Sequence, residues 1–226
     1  MEKLKINSIY NINCLDGIKK IPDNSIDTVI CDPPYFQGLT YNGKKSEFID
    51  LITAEPFFKE LSYEINRILN EEAGSVYWFC DFRGYAFYFP ILNEFLNIKN
   101  TLVWDKHSGP GNFYSYSHEF IIFGTNNSKF GYGKKPGRNV INNIPSFTTG
   151  SRAKEGNGDK VHPTQKTVEI IEKFILDSTE EGGTVLDCFG GSGTTAVAAK
   201  KTGRNYILFE IQKKYCDIAK RRIEQI

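Results

Sequence analysis

The stretch from Thr184 to Glu210 constrains the fold of this chain more than any other. It opens with Thr184 to Cys188, an apolar run that predicts a buried strand, and the glycine-rich turn Phe189 to Thr195 follows directly. A helix is predicted over Thr194 to Lys201, and the apolar run Asn205 to Glu210 predicts the next strand. Strand, helix and strand form a βαβ unit of about the usual length, which indicates an α/β fold.

The glycine-rich turn has the features of a loop that binds a nucleotide-like cofactor. Glycines between a strand and a helix let the backbone approach a ligand closely, and an acid at the end of the next strand can bind ribose hydroxyls. The pattern Gly191-x-Gly193-x-x-Ala196, followed by Glu210, fits this fingerprint. The pattern alone allows NAD as well as S-adenosylmethionine. The phosphate loop of the NTPases is absent from the sequence, which argues against that class.

A second motif, Asp32-Pro33-Pro34-Tyr35, follows the apolar run Ser25 to Cys31. The prolines end the predicted strand, so a carboxylate lies at its carboxyl end, where open α/β sheets bind ligands. A carboxylate, an outward-facing carbonyl and an aromatic ring held together suit a flat ring with an exocyclic amino group. The acceptors can take both amino hydrogens while Tyr35 stacks on the ring. An ordinary strand-ending turn is the alternative interpretation.

The rest of the chain continues the alternation of strands and helices, and seven strands are predicted in all. The other predicted strands are Lys5 to Asn13, Gly74 to Cys80, Thr101 to Lys106 and His118 to Gly124. The other predicted helices are Cys14 to Ile21, Thr53 to Leu69, Arg83 to Phe95 with a kink or break at Pro90, Thr167 to Leu176, and Gln212 to Ile226. The short connection between the strands ending at Lys106 and beginning at His118 predicts an antiparallel pair.

Composition indicates one domain, residues 1–226, in a soluble cytoplasmic protein. The length suits a single sizeable α/β core, and no apolar run is long enough to span a membrane or to form a signal peptide. The five cysteines and three histidines are dispersed, which predicts reduced thiols and no metal site. The net charge of +1 neither requires nor excludes a nucleic-acid partner.

Two irregular segments, 36–50 and 125–161, are candidates for contact with DNA. The second combines aromatic residues with a cluster of positive charge, and its Lys134, Lys135 and Arg138 are the predicted DNA-binding residues. A solvated flexible loop is the alternative for this segment.

In their chain order, Asp32 to Tyr35, His162 to Lys166, and Asp187 to Thr195 resemble the motifs of the β-class amino (N6-adenine/N4-cytosine) DNA methyltransferases. The resemblance covers nearly the whole chain. It implies a single-domain, Rossmann-like methyltransferase fold with a seven-stranded mixed sheet and a circularly permuted motif order. S-adenosylmethionine is the implied cofactor, and double-stranded DNA is the implied partner.

The resemblance also implies roles for residues that match the family motifs. The catalytic set is Asp32, Pro33, Pro34 and Tyr35. The cofactor-binding set is Asn13, Cys14, Asp32, His162, Thr164, Gln165, Lys166, Asp187, Phe189, Gly191, Ser192, Gly193, Thr194 and Glu210. The chain departs from the family at three places, with Cys188 and Thr167 where proline is frequent and Ile12-Asn13 where Gly-Asp is common.

The resemblance predicts transfer of a methyl group to adenine N6 in duplex DNA after base flipping, because aspartate begins the catalytic motif. Serine in that place more often marks cytosine N4. Methylation of cytosine N4, RNA or a protein glutamine stays open, as does a non-catalytic nucleotide-binding module. RNA- and glutamine-directed enzymes usually begin the motif with asparagine and place it after the glycine loop. A role in restriction–modification would add an endonuclease partner, and a homodimer is also open.

Overall fold

A computed structural model describes residues 4–34, 40–41, 44–45, 51–107, 109, 113–126, 137–144, 146 and 165–226. Eight strands form one sheet in the order β1-β10-β9-β2-β5-β7-β6-β8, and two others form a separate antiparallel hairpin, β3-β4. The strands are β1 Ser8–Asn11, β2 Thr28–Cys31, β3 Thr40–Tyr41, β4 Lys44–Lys45, β5 Ser75–Cys80, β6 Asn97–Asp105, β7 His118–Thr125, β8 Val140–Ile141, β9 Thr184–Asp187 and β10 Asn205–Glu210.

The sheet is mixed, as the sequence predicted. Strands β1, β10, β9, β2 and β5 are mutually parallel, and β7 runs antiparallel between β5 and β6. The predicted antiparallel pair is therefore confirmed. Because β6 points the same way as β5, and β7 the opposite way, β6 ends and β7 begins at the carboxyl edge of the parallel strands.

Helices cover both faces of the sheet. They are α1 Cys14–Ile18, α2 Leu51–Ile68, α3 Phe82–Phe95, α4 Val168–Ser178, α5 Thr194–Lys201 and α6 Lys213–Glu224. Side chains alternate along each strand, so Val29 and Cys31 of β2 pack with α1, α2 and α3, whereas Ile30 packs with α4, α5 and α6. Two apolar cores, one on each face, hold the sheet in place. None of the helices in the described part of the chain has both the length and the apolar character required to cross a membrane.

The strand count predicted from sequence is wrong by one, because the sheet contains eight strands and not seven. The additional strand is β8, Val140–Ile141, which lies within the segment that was interpreted as irregular and pairs in parallel with Val103 and Trp104 of β6. Two residues are too few to show an alternating pattern, so the pairing with β6 and the burial of Ile141 create this strand.

Pro90 does not break α3, contrary to one of the two expectations for it, since a single helix spans Phe82–Phe95. A proline inside a helix removes one backbone hydrogen bond. Tyr88, Ile91 and Leu92 are buried on either side of it, and their packing holds the helix together. The Asp81 side chain, which accepts a hydrogen bond from the Gly84 backbone N–H at 2.7 Å, caps its first turn.

The order of the two motifs along the chain, and the strands that carry them, agree with a permuted Rossmann-like fold. The Asp32 motif follows β2 early in the chain, whereas the glycine-rich turn joins β9 to α5 near the end, and β2 and β9 are neighbours in the sheet. Residues that are far apart in sequence therefore meet at one edge.

Candidate functional site

The carboxyl edge of the parallel strands gathers most of the described residues that the sequence singled out. Asn13 follows β1, Asp32 follows β2, Asp187 ends β9 and Glu210 ends β10. The register places Ile30 opposite Asp187, so Asp32 lies just beyond the level of Asp187 on the neighbouring strand. This edge joins a glycine-rich half, built on β1, β9 and β10, to a second half built on β2, β5, β6 and β7.

The turn after β9 requires glycine for two reasons. Gly193 has a φ of 82°, a conformation that side chains disfavour, and a Cβ there would lie 2.6 Å from the Cβ of Ala219 on α6. A Cβ on Gly190 would lie 2.0 Å from the Leu208 side chain of β10. The backbone of the turn thus packs directly against β10 and α6, where side chains do not fit.

Glu210 fixes this turn from the end of β10. Its Oε2 accepts a hydrogen bond from the Gly191 backbone N–H at 2.9 Å, and its Oε1 accepts one from the Gln212 N–H at 2.7 Å. Burial raises the pKa of Glu210, while the backbone N–H groups act in the opposite direction. Glu210, the predicted ribose acid, therefore holds the backbone of the glycine-rich turn, a contact that the sequence did not reveal.

Arg222 of α6 connects the glycine-rich turn to the segment before α4. Its Nη1 donates to the backbone oxygen of Ser192 at 2.6 Å and to the Ser192 Oγ at 3.0 Å. With the Gln165 amide oxygen turned toward the guanidinium, Gln165 accepts from Nη2 at 3.0 Å and from Nη1 at 3.2 Å. Burial lowers the pKa of Arg222. The sequence does not mark Arg222 as a site residue, because in a helix of basic and apolar residues it has the features of an ordinary surface arginine.

Asp187 is buried beneath the turn. Its Oδ1 accepts from the Phe189 backbone N–H at 2.9 Å, and its Oδ2 accepts from the Thr195 hydroxyl at 2.5 Å. Burial raises the pKa of Asp187 to about 7, although the hydrogen bonds from Thr195 and Phe189 lower it, and the charges of Asp32 and Glu210 raise it further. The carboxyl group therefore titrates close to neutral pH.

Cys188 stands where the family resemblance leads one to expect proline, and it lies in a cluster of buried thiols. Cys14, Cys31 and Cys188 all belong to the core on the α1 side of the sheet. A hydrogen bond with Cys31, together with burial, raises the pKa of Cys188, so this thiol stays neutral. Cys14, predicted to bind the cofactor, begins α1 next to Asn13, whose side-chain oxygen caps that helix by accepting from the Leu15 N–H at 2.9 Å.

Lys166 forms an ion pair with Asp32, with 2.7 Å between Nζ and Oδ2. The same Nζ lies 3.3 Å from the Oε2 of Glu119, near the start of β7. Burial alone would lower the pKa of Lys166, but the two carboxylates more than offset this effect, so its pKa is raised and the ammonium stays charged. Lys166, which was predicted to bind the cofactor, contacts the carboxylate of Asp32, and its role toward the cofactor stays a prediction. Glu119 was not predicted at all.

An exposed group of aromatic side chains, here called the edge aromatic patch, lies between β6 and β7 and at the start of α3. It comprises Phe82, Phe113, Tyr114 and Tyr116. Phe113 is 98% exposed and Tyr114 is 90% exposed. The rings of Phe82 and Tyr116 are parallel with centroids 6.5 Å apart, and the Arg83 guanidinium lies 4.9 Å from the Phe82 ring centre. Large apolar side chains exposed together on one edge are typical of a binding surface.

Five predicted residues, Tyr35, His162, Thr164, Lys134 and Lys135, lie outside the described residues. Arg138 lies just before β8 and lines a cavity of about 240 Å³ together with Lys99 and Lys173. In the sheet, β5, β7 and β6 separate β8 from β2, so Arg138 stands apart from Asp32.

The pKa of Asp187 leads to a prediction about stability in the protein without ligands. Between its ordinary pKa of 3.8 and about 7, the folded protein holds a proton on Asp187 that the unfolded chain has lost. The free energy of unfolding should therefore fall as pH rises through this range, by on the order of 4 kcal/mol in total. Asp187→Asn should remove this slope. Urea unfolding of both proteins across the range measures the difference, and parallel curves would contradict the assignment.

Comparison with known proteins identifies the family. The family model for DNA methylases of the N6/N4 group matches residues 26–221. The type II methyltransferase M.HinfI of Haemophilus influenzae is 30% identical over an alignment 249 positions long, which covers 98% of this chain and 69% of that protein.

Solved structures of DNA methyltransferases share the fold. The M1.HpyAVI–SAM complex is 26% identical, with a TM-score of 0.67, over 95% of this chain and 98% of that one. The cytosine-N4-specific PvuII DNA methyltransferase shares the fold, with a TM-score of 0.74 and 19% identity over 97% of this chain and 87% of that one. With a family model that covers most of its length and a relative aligned along nearly all of it, this chain belongs to the N6/N4 family of DNA methyltransferases.

Proposed function

We propose that this protein transfers the methyl group of S-adenosylmethionine to the N6 amino group of an adenine that is flipped out of duplex DNA. The observation that carries the proposal is the position of Asp32. It follows β2, the strand next to the one that leads into the glycine-rich turn, and its carboxylate is held by a buried lysine. A methyl donor on the turn and an amine at Asp32 would therefore meet between neighbouring strands.

The residues of the glycine-rich half fit S-adenosylmethionine. Gly190 and Gly193 let the turn pack directly against β10 and α6, which fixes its backbone at the carboxyl edge, and Glu210 offers a carboxylate at the end of β10. A relative with 26% identity is solved as a SAM complex. We assign the ribose to Glu210, the adenine to Asn13 and the methionine end to the segment that includes Gln165. When bound, the cofactor supplies a methyl group already activated by the sulfonium.

The protein's own task is to make the target nitrogen nucleophilic. The lone pair of an exocyclic amine is delocalised into the base, so acceptors that draw both amino hydrogens toward tetrahedral geometry make that pair available. Asp32 and the Pro33 carbonyl are assigned this role, with Pro34 fixing the turn and Tyr35 stacking on the base. Positioning and electrostatics then supply most of the rate, and no covalent enzyme intermediate is needed.

Adenine is proposed over cytosine because aspartate begins the catalytic motif. The fold alone does not decide this, since a cytosine-N4-specific enzyme shares it. We further infer a single methyltransferase domain over residues 1–226. A cytoplasmic location and an endonuclease partner in restriction–modification remain predictions.

Two surfaces are proposed to contact the DNA. The edge aromatic patch lies at the carboxyl edge, between β6 and β7, and its exposed rings suit stacking on unpaired bases, which is worth roughly 1–3 kcal/mol per base. Lys134, Lys135 and Arg138 are proposed to contact phosphates, which gives affinity without reading the sequence.

The assigned role of Asp32 is tested by Asp32→Ala in an assay of labelled methyl transfer to duplex DNA, with RNA and protein as control substrates. The rate should fall by roughly two to three orders of magnitude while cofactor affinity stays within a few-fold, because Asp32 is assigned to the amine. Asp217→Ala, on the surface of α6, should behave as wild type. Nucleoside analysis of the product should give N6-methyladenine. Turnover near the wild-type rate in Asp32→Ala would contradict the mechanism, and N4-methylcytosine would contradict the choice of base.

Glu210 is assigned to the cofactor ribose, and charge-assisted hydrogen bonds of this kind are worth roughly 1.5–3 kcal/mol. Glu210→Ala should therefore weaken S-adenosylmethionine binding, measured by calorimetry, by about one to two orders of magnitude. Glu210→Gln keeps one carbonyl oxygen for the turn and should lose less. Glu224→Ala, at the exposed end of α6, serves as the control. An unchanged dissociation constant in Glu210→Ala would show that ribose is bound elsewhere.

The two DNA surfaces are separable by the salt dependence of binding. Changing Lys134, Lys135 and Arg138 to alanine should weaken binding to every duplex and reduce the slope of log K against log salt by roughly 0.9 for each phosphate that the protein no longer neutralises. Changing Phe113 and Tyr114 to alanine should weaken binding with the slope unchanged, because stacking releases no counterions. Wild-type affinity and slope in the charge variant would exclude the basic segment, and wild-type affinity in the aromatic variant would exclude the patch.

A further inference from the structure

A row of alternating charges extends from Asp32 across the second half of the site. Lys166 Nζ lies 2.7 Å from Asp32 Oδ2 and 3.3 Å from Glu119 Oε2. On its other side, Glu119 Oε1 accepts a hydrogen bond from Lys106 Nζ at 3.1 Å. Negative and positive groups alternate along this row, which contains two carboxylates and two ammonium groups.

The sheet itself places the last two members of the row. β7 runs antiparallel to β5 and β6, so its first residues lie at the carboxyl edge, and Glu119 pairs there with Trp104. Lys106 comes two residues after Trp104, directly beyond β6, and so points to the same face of the sheet. Trp104 and Ile121, which flank Glu119 on that face, are buried in the core against α4. The carboxylate of Glu119 is therefore anchored to rigid structure, whereas Asp32 lies after the end of its strand.

Because the side chains in this row are largely buried, the position of each charged group depends on the charged groups next to it. The Lys166 side chain is 7% exposed and that of Glu119 is 12% exposed. Removing one partner from a buried ion pair leaves a charge without compensation, which destabilises the site or displaces the remaining group. Lys166 also has a long flexible side chain, and a single carboxylate would restrain it less than the two carboxylates that it contacts. The Phe79 ring, whose centre lies 5.2 Å from Nζ, limits its movement further.

We propose that Glu119 is a positioning residue for the reaction, acting through Lys166 to hold the carboxylate of Asp32 in place. This inference rests on the proposed function, in which Asp32 accepts a hydrogen bond from the target amine. Because of Glu119, the Lys166 ammonium interacts with two carboxylates and not with Asp32 alone. It therefore orients Asp32 without fully neutralising it, and Asp32 keeps the negative charge that a hydrogen-bond acceptor for the amine requires. The proposal also implies that Lys166 acts mainly on the carboxylate that binds the target amine, and less on the cofactor.

The test uses the purified full chain, saturating S-adenosylmethionine and saturating duplex DNA in a single turnover. Glu119→Gln should lower the rate constant of methyl transfer by about tenfold to a hundredfold, the loss expected when a reacting group is displaced by about 1 Å. The dissociation constant of the cofactor should stay within about threefold of the wild-type value. Glu119→Asp, which keeps the charge, should recover part of the rate.

Glu64→Gln is the matched control. Glu64 is 12% exposed, like Glu119, and it also forms an ion pair, with Arg67 at 2.7 Å, but it lies on α2 away from the carboxyl edge. This variant should keep the wild-type rate within about twofold. Thermal unfolding of both variants shows how much stability each has lost, so a rate loss confined to Glu119→Gln is not a general effect of removing a buried charge.

A double-mutant cycle separates action through Lys166 from a merely structural role of Glu119. Lys166→Met should slow the reaction on its own, and adding Glu119→Gln to it should cause little further loss, because the group that Glu119 positions is gone. Multiplicative losses in the double variant would overturn the inference, as would a wild-type rate in Glu119→Gln. A cofactor dissociation constant raised tenfold or more in Lys166→Met would assign Lys166 to the cofactor and also overturn it.

The inference and the proposed function fail in different ways. If Asp32→Ala keeps its turnover, the role of Asp32 is wrong, whatever Glu119→Gln shows. If Asp32→Ala is inactive while Glu119→Gln reacts normally, only the positioning role of Glu119 fails.

Discussion

The parallel pairing of β2 with β9 is the constraint on which the rest of the site depends. One strand leads into the Asp32 motif and the other into the glycine-rich turn, and the register sets Ile30 opposite Asp187. Neighbouring strands lie about 4.8 Å apart, so the two motifs leave the sheet within a few ångströms of each other although most of the chain separates them. The buried, apolar β-branched character of β2 and β9 fixes this pairing, and thereby brings the proposed donor and acceptor of the methyl group together.

That closeness creates an electrostatic problem, because Asp32, Asp187 and Glu210 all carry carboxyl groups at the same edge. Each is stabilised in a different way. Asp187 is buried with the Thr195 hydroxyl and has a pKa near neutral pH, Glu210 accepts hydrogen bonds from backbone N–H groups, and Asp32 pairs with Lys166. Three unpaired carboxylates at these positions would repel one another and favour protonation. Because each carboxyl group has a different kind of hydrogen-bond or ion-pair partner, the three groups can differ in their strength as acceptors.

Local patterns made much of the fold and part of the site predictable. α5 and β10 begin and end where the sequence predicted, because the glycine turn and the apolar run are signals within a few residues. Glu119 and Arg222 escaped prediction because their partners are Lys166 and Ser192, which are distant in sequence, and nothing in the residues around them marks the contact. Such side chains acquire a role only when strand order and helix packing bring them to the edge.

The short segment before α4 links the two halves of the site through adjacent side chains. Gln165 contacts Arg222, which holds the glycine-rich turn at Ser192, whereas Lys166 contacts Asp32 and Glu119 on the other side. Both side chains are buried, so neither can shift without displacing a partner. Two consecutive residues of one segment therefore hold both the glycine-rich turn, through Arg222, and the carboxylate of Asp32.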